Sequence, residues 1–208
     1  FRREYEEHLR AHRCRAGVCE KLFLSPCENS CPLHMRIPLF LELTKLGRFA
    51  EAAELIWLDN PLPGSTGRIC QHPCESRCRR KTVDAPLNMR EVHRFISDQV
   101  FGGSLLDEVR KRLVGRRMSP TGKKIAIVGA GPSGLAAGFY LALLGHDVMI
   151  HEAREEAGGM LLYSLPQYRL PKDMLRQELE IIAGLGVTFR FGQKLGAGLS
   201  LDVLCAQY

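Results

Sequence analysis

The sequence lacks any apolar run reaching the roughly 18 residues that a membrane-spanning helix needs, so no such span is expected. It lacks the apolar stretch of a secretory signal as well: residues 1–7 read Phe-Arg-Arg-Glu-Tyr-Glu-Glu. There is no initiator methionine, and residues 204–208 carry no terminating feature, so a piece of a longer chain is expected. Strong charge of one sign is also missing. Against 29 Lys and Arg stand 23 Asp and Glu, a net +6 over 208 residues. That balance suits an acidic partner or a phosphate-bearing cofactor, and it is too diffuse to argue for nucleic acid. With 45% hydrophobic and 25% charged residues, disorder, collagen and coiled coil are excluded for the whole. The length accommodates one large domain or two small ones.

Cysteine is nearly absent beyond residue 78, where only Cys205 remains. Seven others crowd the first 78 residues, at 14, 19, 27, 31, 70, 74 and 78. Nothing points to secretion, so a disulfide scaffold is disfavoured. A packed structural thiol suits Cys205. It does not suit Cys27-x3-Cys31-Pro32 or Cys70-x3-Cys74-x3-Cys78. Clustered thiols at short spacing, in a polar and proline-rich setting, read as ligands of a metal or of iron–sulfur. The Cys-Pro ending favours iron–sulfur over zinc. Seven thiols fall one short of two four-ligand clusters.

Between the cysteine sets the periodicity predicts helices. One opens at Ile37-Pro38, with Leu39, Phe40, Leu43 and Leu46 at helical spacing, and breaks at Gly47. A second, 49–58, turns Ala53, Ile56 and Trp57 inward, and Asn60-Pro61-Leu62-Pro63-Gly64 stops it. A third, about 88–101, has Met89, Val92, Ile96 and Val100 on its apolar face. His93 points the same way. It reads equally as a packed core histidine or as the missing ligand. Residues 104–122 then read as a basic, loop-like linker with a helical turn or two near 105–113, its charges chiefly solvated.

The remainder predicts a nucleotide fold. The strand-like run 124–128 is followed by Gly129-Ala130-Gly131-Pro132-Ser133-Gly134, an alanine-rich helix, a second strand over 147–151, and Glu152, 18 residues after Gly134. This order is the dinucleotide fingerprint. Gly129 permits the turn, Gly131 lets the backbone approach a pyrophosphate, and Gly134 lets the helix pack. The helix N-terminus faces the anion, and Glu152 accepts from ribose hydroxyls. The further pair Gly158-Gly159 favours FAD over NAD, without settling it. No second Gly-x-Gly-x-x-Gly follows.

These motifs, with Gly67-Arg68-x-Cys70, Pro73-Cys74-Glu75 and Pro166-x2-Arg169-Leu170-Pro171-Lys172, resemble the flavoprotein family of the NADPH-dependent glutamate synthase small subunit. The amino-terminal part of dihydropyrimidine dehydrogenase and the larger subunit of the ferredoxin–NADP transhydrogenase look similar. The likeness covers roughly residues 22–195. It implies an α-helical domain with one or two [4Fe–4S] clusters, followed by the start of an α/β Rossmann-like FAD-binding domain. An NAD(P)H site would lie elsewhere in the complete parent. One cluster would take Cys31, Cys70, Cys74 and His93, where the family supplies Gln or Glu; the other would take Cys14, Cys19, Cys27 and Cys78. The front departs from the family, with Cys14-x4-Cys19 in place of Cys-x2-Cys. Pro132, Ser133, Gly159 and Arg169 join the cofactor-binding set.

The front, Phe1-x2-Glu4-Tyr5-x2-His8-x5-Cys14-x-Ala16-Gly17-Val18-Cys19, resembles the tail of NADH-binding flavoprotein subunits of hydrogenases and formate dehydrogenases. That likeness implies an upstream NADH and FMN module, and it offers His8, Cys14 and Cys19 to a structural zinc. The expected divisions are 1–21 as that tail, 22–103 as the cluster domain, 104–122 as linker and 123–208 as the nucleotide fold. The expected function is the electron-transfer segment of an FAD- and iron–sulfur-dependent NAD(P)H oxidoreductase in the cytoplasm. It would work with a redox partner subunit, and with neither nucleic acid nor membrane. The rival is a metal-stabilised docking module whose nucleotide fold is only structural.

Overall fold

The computed structural model describes residues 24–103 and 105–208. The expectations for His8, Cys14 and Cys19 lie outside these residues. The first half is helical: α1 (Pro26–Ser30), α2 (Ile37–Lys45), α3 (Phe49–Asp59), α4 (Pro63–Ile69), α5 (Pro73–Ser76), a 3-10 turn (Arg79–Thr82) and α6 (Met89–Phe101). Proline repeatedly marks the restarts. Pro26, Pro38, Pro63 and Pro73 each occupy the first or second helical position, where the missing N–H removes no internal bond. A capping box starts α1: Ser25 Oγ accepts from the Glu28 N–H, and the Glu28 carboxylate accepts from the Ser25 N–H.

As the periodicity predicts, Ala53, Ile56 and Trp57 are wholly buried. The Trp57 ring packs edge-on to Phe101 at 5.5 Å. One detail differs. Leu39 and Leu46 lie about half exposed on the outer side of α2, so its core stripe is Ile37 and Phe40. The stop at Asn60–Gly64 is as expected, with α3 ending at Asp59 and Asn60 as its cap; the chain then turns and enters a further helix, α4, at Pro63.

In the expected linker the helical turn or two near 105–113 is a full ten-residue helix, and the rest, 116–122, is irregular. α7 (Leu106–Gly115) buries Val109 and Leu113 completely. Several of its cations are partnered rather than solvated. Arg112 and Arg116 both bond the buried carboxylate of Glu54 on α3, because a buried carboxylate needs such partners. Arg117 donates to the Ala142 carbonyl.

The second half contains β1 (Lys124–Val128), α8 (Pro132–Leu143), β2 (Asp147–His151), α9 (Met160–Tyr163), α10 (Lys172–Gly184) and β3 (Val187–Arg190). A short pair, β4 (Lys194–Leu195) and β5 (Gly198–Leu199), and α11 (Leu201–Gln207) follow. The parallel sheet runs β1-β2-β3, with Ile127 opposite Ile150 and Ile150 opposite Phe189. β1 is less buried than its β-branched run predicts, because it forms one edge; Val128 is half exposed. Among the described residues no helix is long and apolar enough to cross a membrane.

The halves meet where α10 packs on α4. A side-chain carbon at Gly64 would lie 2.8 Å from Met174 Sδ and 2.9 Å from Phe101, so a larger residue here would require these side chains to shift.

At Gly134 the restriction is tighter. A Cβ there would sit 1.9 Å from the Gly129 carbonyl oxygen and 3.3 Å from Ile127. Gly134→Ala should therefore cost about 1–3 kcal/mol through overpacking. A lowered melting temperature in calorimetry is the expected outcome, and an unchanged one would contradict this packing.

Candidate functional site

Four helical elements deliver side chains to one small, mostly apolar cavity. Its lining includes Cys31, Cys70, Cys74 and His93, with Met35, Phe40 and Met89 closing it. The placements follow from the helix breaks. Cys31 caps the C-terminus of α1, Cys70 caps that of α4, Cys74 lies in the first turn of α5, and His93 comes from the middle of α6. Short helices ending in cysteine turn their thiols inward from several directions, which one continuous helix cannot do.

The chemistry of this wall is specific. Burial pushes the Cys74 thiol up to about 11, and the neighbouring charges of Cys31, Cys70 and Glu75 add to the push. Thiols this close resist ionising together unless a cation offsets them. His93 is 6% exposed, and burial lowers its pKa to about 4, so its imidazole is neutral. Its Nε2 is buried without a hydrogen-bond partner. An orphaned polar atom of this kind costs about 1–3 kcal/mol. Ligation of an iron by that nitrogen would offset the cost. The residues present therefore fit an iron–sulfur group.

Among the described residues no three His, Cys, Asp or Glu side chains converge on a single ion.

Three residues missed in the sequence complete the surroundings. His72 adopts the left-handed conformation (φ 46°), and its backbone N–H donates to Cys70 Sγ at 3.2 Å. Its Nδ1 lies 2.9 Å from Glu75. The other oxygen of Glu75 accepts from the Arg90 N–H at 3.0 Å, and the Arg90 guanidinium reaches the Cys70 carbonyl. The only cue was His72 two positions after a cysteine, since bonds to sulfur leave no mark in spacing. Cys27 and Cys78 do not line this cavity. Cys27 Sγ lies 2.9 Å from Ser25 Oγ, and Cys78 is buried. All six described cysteines are free thiols.

The second site is the glycine loop after β1. Gly129 (φ 96°) turns the chain and donates to the His151 carbonyl at 2.7 Å. The Glu152 carboxylate folds back on the loop, accepting from the Ala130 N–H at 2.7 Å and from the Arg154 N–H at 2.9 Å. Each oxygen retains a lone pair for a sugar hydroxyl. The second glycine pair closes on the first: Gly158 N–H donates to the Ala130 carbonyl, and a side chain at Gly159 would come within 2.8 Å of Gly131 Cα. Above Gly131 the space is open. Pro132 and Ser133 are exposed, and no side chain caps α8, leaving its first amides directed outward. Arg169 is exposed on the turn before α10, apart from this loop's hydrogen bonds.

Comparison with known proteins fits both halves. Residues 2–103 match the family model described as dihydropyrimidine dehydrogenase domain II, 4Fe-4S cluster. Residues 127–173 match that of an NAD(P)-binding Rossmann-like domain. The chain is 40% identical over 209 residues to the NADP(+)-dependent formate dehydrogenase subunit beta of Moorella thermoacetica, covering 93% of this chain and 30% of that protein. It is 36% identical over 208 residues to the NADPH-Fe(3+) oxidoreductase subunit beta of Geobacter sulfurreducens, covering 98% and 30%. The glutamate synthase [NADPH] small chain of Escherichia coli K12 is 34% identical over 184 residues, with 88% and 38% covered. The chain thus spans about a third of the length of these curated relatives.

Proposed function

We propose that this chain, an iron–sulfur and Rossmann-like homologue of the glutamate synthase small chain, is the electron-transfer segment of a larger flavin-dependent NAD(P)H oxidoreductase. The observation that carries this reading is the unpartnered, neutral His93 Nε2 beside three mutually repelling thiols. In the proposal Cys31, Cys70, Cys74 and His93 hold one [4Fe–4S] centre, and Cys27 and Cys78 contribute to a second with Cys14 and Cys19. FAD, when bound, interconverts a hydride and the single electrons that such centres carry.

The chain's own residues supply positioning and electrostatics. The amides of Ser133 and Gly134 receive a pyrophosphate over the open face of Gly131, and Gly129 holds the turn that aims them. Glu152 accepts from ribose hydroxyls. Pro132 fixes the first helical turn, Gly159 keeps the loop's far wall thin, and Arg169 offers an exposed cation to the cofactor. Around the thiols, Met35, Phe40 and Met89 exclude water, while the His72 N–H on Cys70 stabilises sulfur charge. No described residue is assigned as a general acid or base. Clustered cysteine ligands of this kind suit a reducing compartment, and we place the protein in the cytoplasm. Its partner would be a redox subunit or an upstream NADH and FMN module; a structural zinc at His8, Cys14 and Cys19 is the alternative to their place in the second cluster.

Visible absorption near 400 nm together with iron and sulfide analysis separates this reading from a docking module. Replacing Cys31, Cys70 or Cys74 with Ser should each remove about four iron per chain or collapse the domain, since such sites couple folding to metal. Unchanged iron in all three variants would refute the ligand set.

Gly131→Val should abolish flavin retention in the full-length protein, by placing a side chain where the pyrophosphate approaches. Stoichiometric FAD in that variant would remove the loop's assignment.

For His93, replacement by Cys exchanges a neutral ligand for an anionic one and should lower the midpoint potential of the cluster. His93→Ala should leave it labile to oxygen. An unshifted potential in the Cys variant with iron retained would return His93 to a packed core residue.

A further inference from the structure

We propose that Glu178, reaching across from the nucleotide-binding half, is the group that takes up a proton when the Cys31/Cys70/Cys74 cluster is reduced. The inference rests on the cluster assignment above. Glu178 is wholly buried on α10, yet its hydrogen-bond partners all belong to the other half. Oε1 accepts from the Gly64 N–H at 2.7 Å and from the Ser65 N–H at 3.1 Å, and Oε2 accepts from the Ser65 hydroxyl. These donors form the start of α4, whose last cap is Cys70. A seven-residue helix therefore has a cluster ligand at one end and a buried carboxylate at the other. At about 1.5 Å per residue the two are roughly a nanometre apart or less. Across so short a stretch of low-dielectric interior, unit charges feel each other strongly.

Burial pushes the Glu178 carboxyl up to about 7, even against its bonds from Ser65 and Gly64 and the field of Arg68. Most charged neighbours on the packed elements are otherwise engaged, Asp107 of α7 with Arg110 among them, and Lys111 of α7 is exposed. Arg68 of α4 bonds the Gly64 carbonyl and Asp98 of α6. On α7, Arg110 pairs with Glu180, and Arg112 with Glu108 and Glu54. β3 offers Arg190 at its far end, and α8 and α9 contribute only the phenols of Tyr140 and Tyr163. Arg68 is the one whose field reaches the carboxyl.

The step balances simply. One electron passes from reduced flavin to the cluster, and one proton passes from solvent to the Glu178 carboxylate, giving the neutral acid. Ser65 Oγ, a donor to the carboxylate, turns to accept from that acid. Reoxidation of the cluster releases both. Added negative charge on the reduced cluster disfavours the carboxylate, so the acid's pKa is higher in the reduced state than in the oxidised one. Between those two values the midpoint potential falls as pH rises. Below the lower value and above the higher one it is level.

The test is a redox titration of the cluster's paramagnetic signal from pH 6 to pH 9 in the cluster-loaded full-length protein, with iron content measured alongside. Wild type should show a potential that falls through the neutral range and levels on either side. Glu178→Gln should retain iron and give a level potential. Ser65→Ala removes a donor to the ionised form, and it should move the fall to higher pH; this variant decides the matter where Glu178→Gln does not fold. A loaded wild-type cluster with a level potential, or a slope untouched in both variants, overturns the role of Glu178 alone. A wild-type protein without iron overturns the cluster assignment beneath it.

Discussion

Cys31 and Cys70, half-buried, lie within the electric field of the buried Cys74 in a cavity lined mostly by apolar side chains. Thiolates gathered in this way repel, and burial adds to the cost of each charge. Much of the helical half can be understood as the means of imposing that arrangement. The three short helices α1, α4 and α5 each start on proline; cysteine closes α1 and α4, and in α5 it sits in the first turn. Each break spends backbone regularity to turn a ligand toward the cavity. The apolar core of Trp57, Ile56 and Ile96, all wholly buried, supplies the rigidity the short helices lack. Without such backing the repulsion would splay the thiols apart.

The two halves are joined through polar chemistry as well as through packing. A buried carboxylate with three donors is stable only where geometry is close to ideal. Glu178 obtains that geometry because Gly64 admits α10 to within contact of α4. A second buried carboxylate, Glu54, ties the helical half to the connecting helix through Arg112 and Arg116. Breaking either would leave an uncompensated charge inside the protein, so the halves are held in a fixed relation. Electron transfer between cofactors carried on separate halves needs such a relation.

Much of this was legible in the sequence, and the limits are physical. Cys-x3-Cys-Pro and Cys-x3-Cys-x3-Cys carry short-range spacing, which survives without coordinates. The glycine loop and Glu152 were legible for the same reason, and so was the inward direction of His93, fixed by helical periodicity from Met89 and Ile96. α10 left a weaker signal, since Met174, Leu175, Ile181 and Ile182 are interleaved with charges. Glu178 among those charges carried no sign of its burial, because its partners lie 113 and 114 positions away. The charges of the 104–122 segment misled for the opposite reason. Its arginines look like solvated surface in sequence, and only the fold brings Glu54 beneath them. His72 was hidden because a left-handed residue donating to sulfur has no periodic signature.

The contacts also form one continuous path between the two sites. Gly131, over which a pyrophosphate would lie, touches Gly159, and a side chain at Gly158 would meet Leu175 of α10 at 2.9 Å. Leu175 lies three residues, almost one turn, before Glu178. Glu178 holds the start of α4, and α4 ends at Cys70. Every link is a glycine close approach, a packed helix or a buried hydrogen bond. None is a surface loop. Such a path can transmit displacement with little loss, because close-packed interiors are poorly compressible. The second glycine pair serves two contacts on this path: a side chain at 158 would press on Leu175 of α10, and through Glu178 on the helix that presents Cys70, whereas one at 159 would press on the nucleotide loop itself at Gly131.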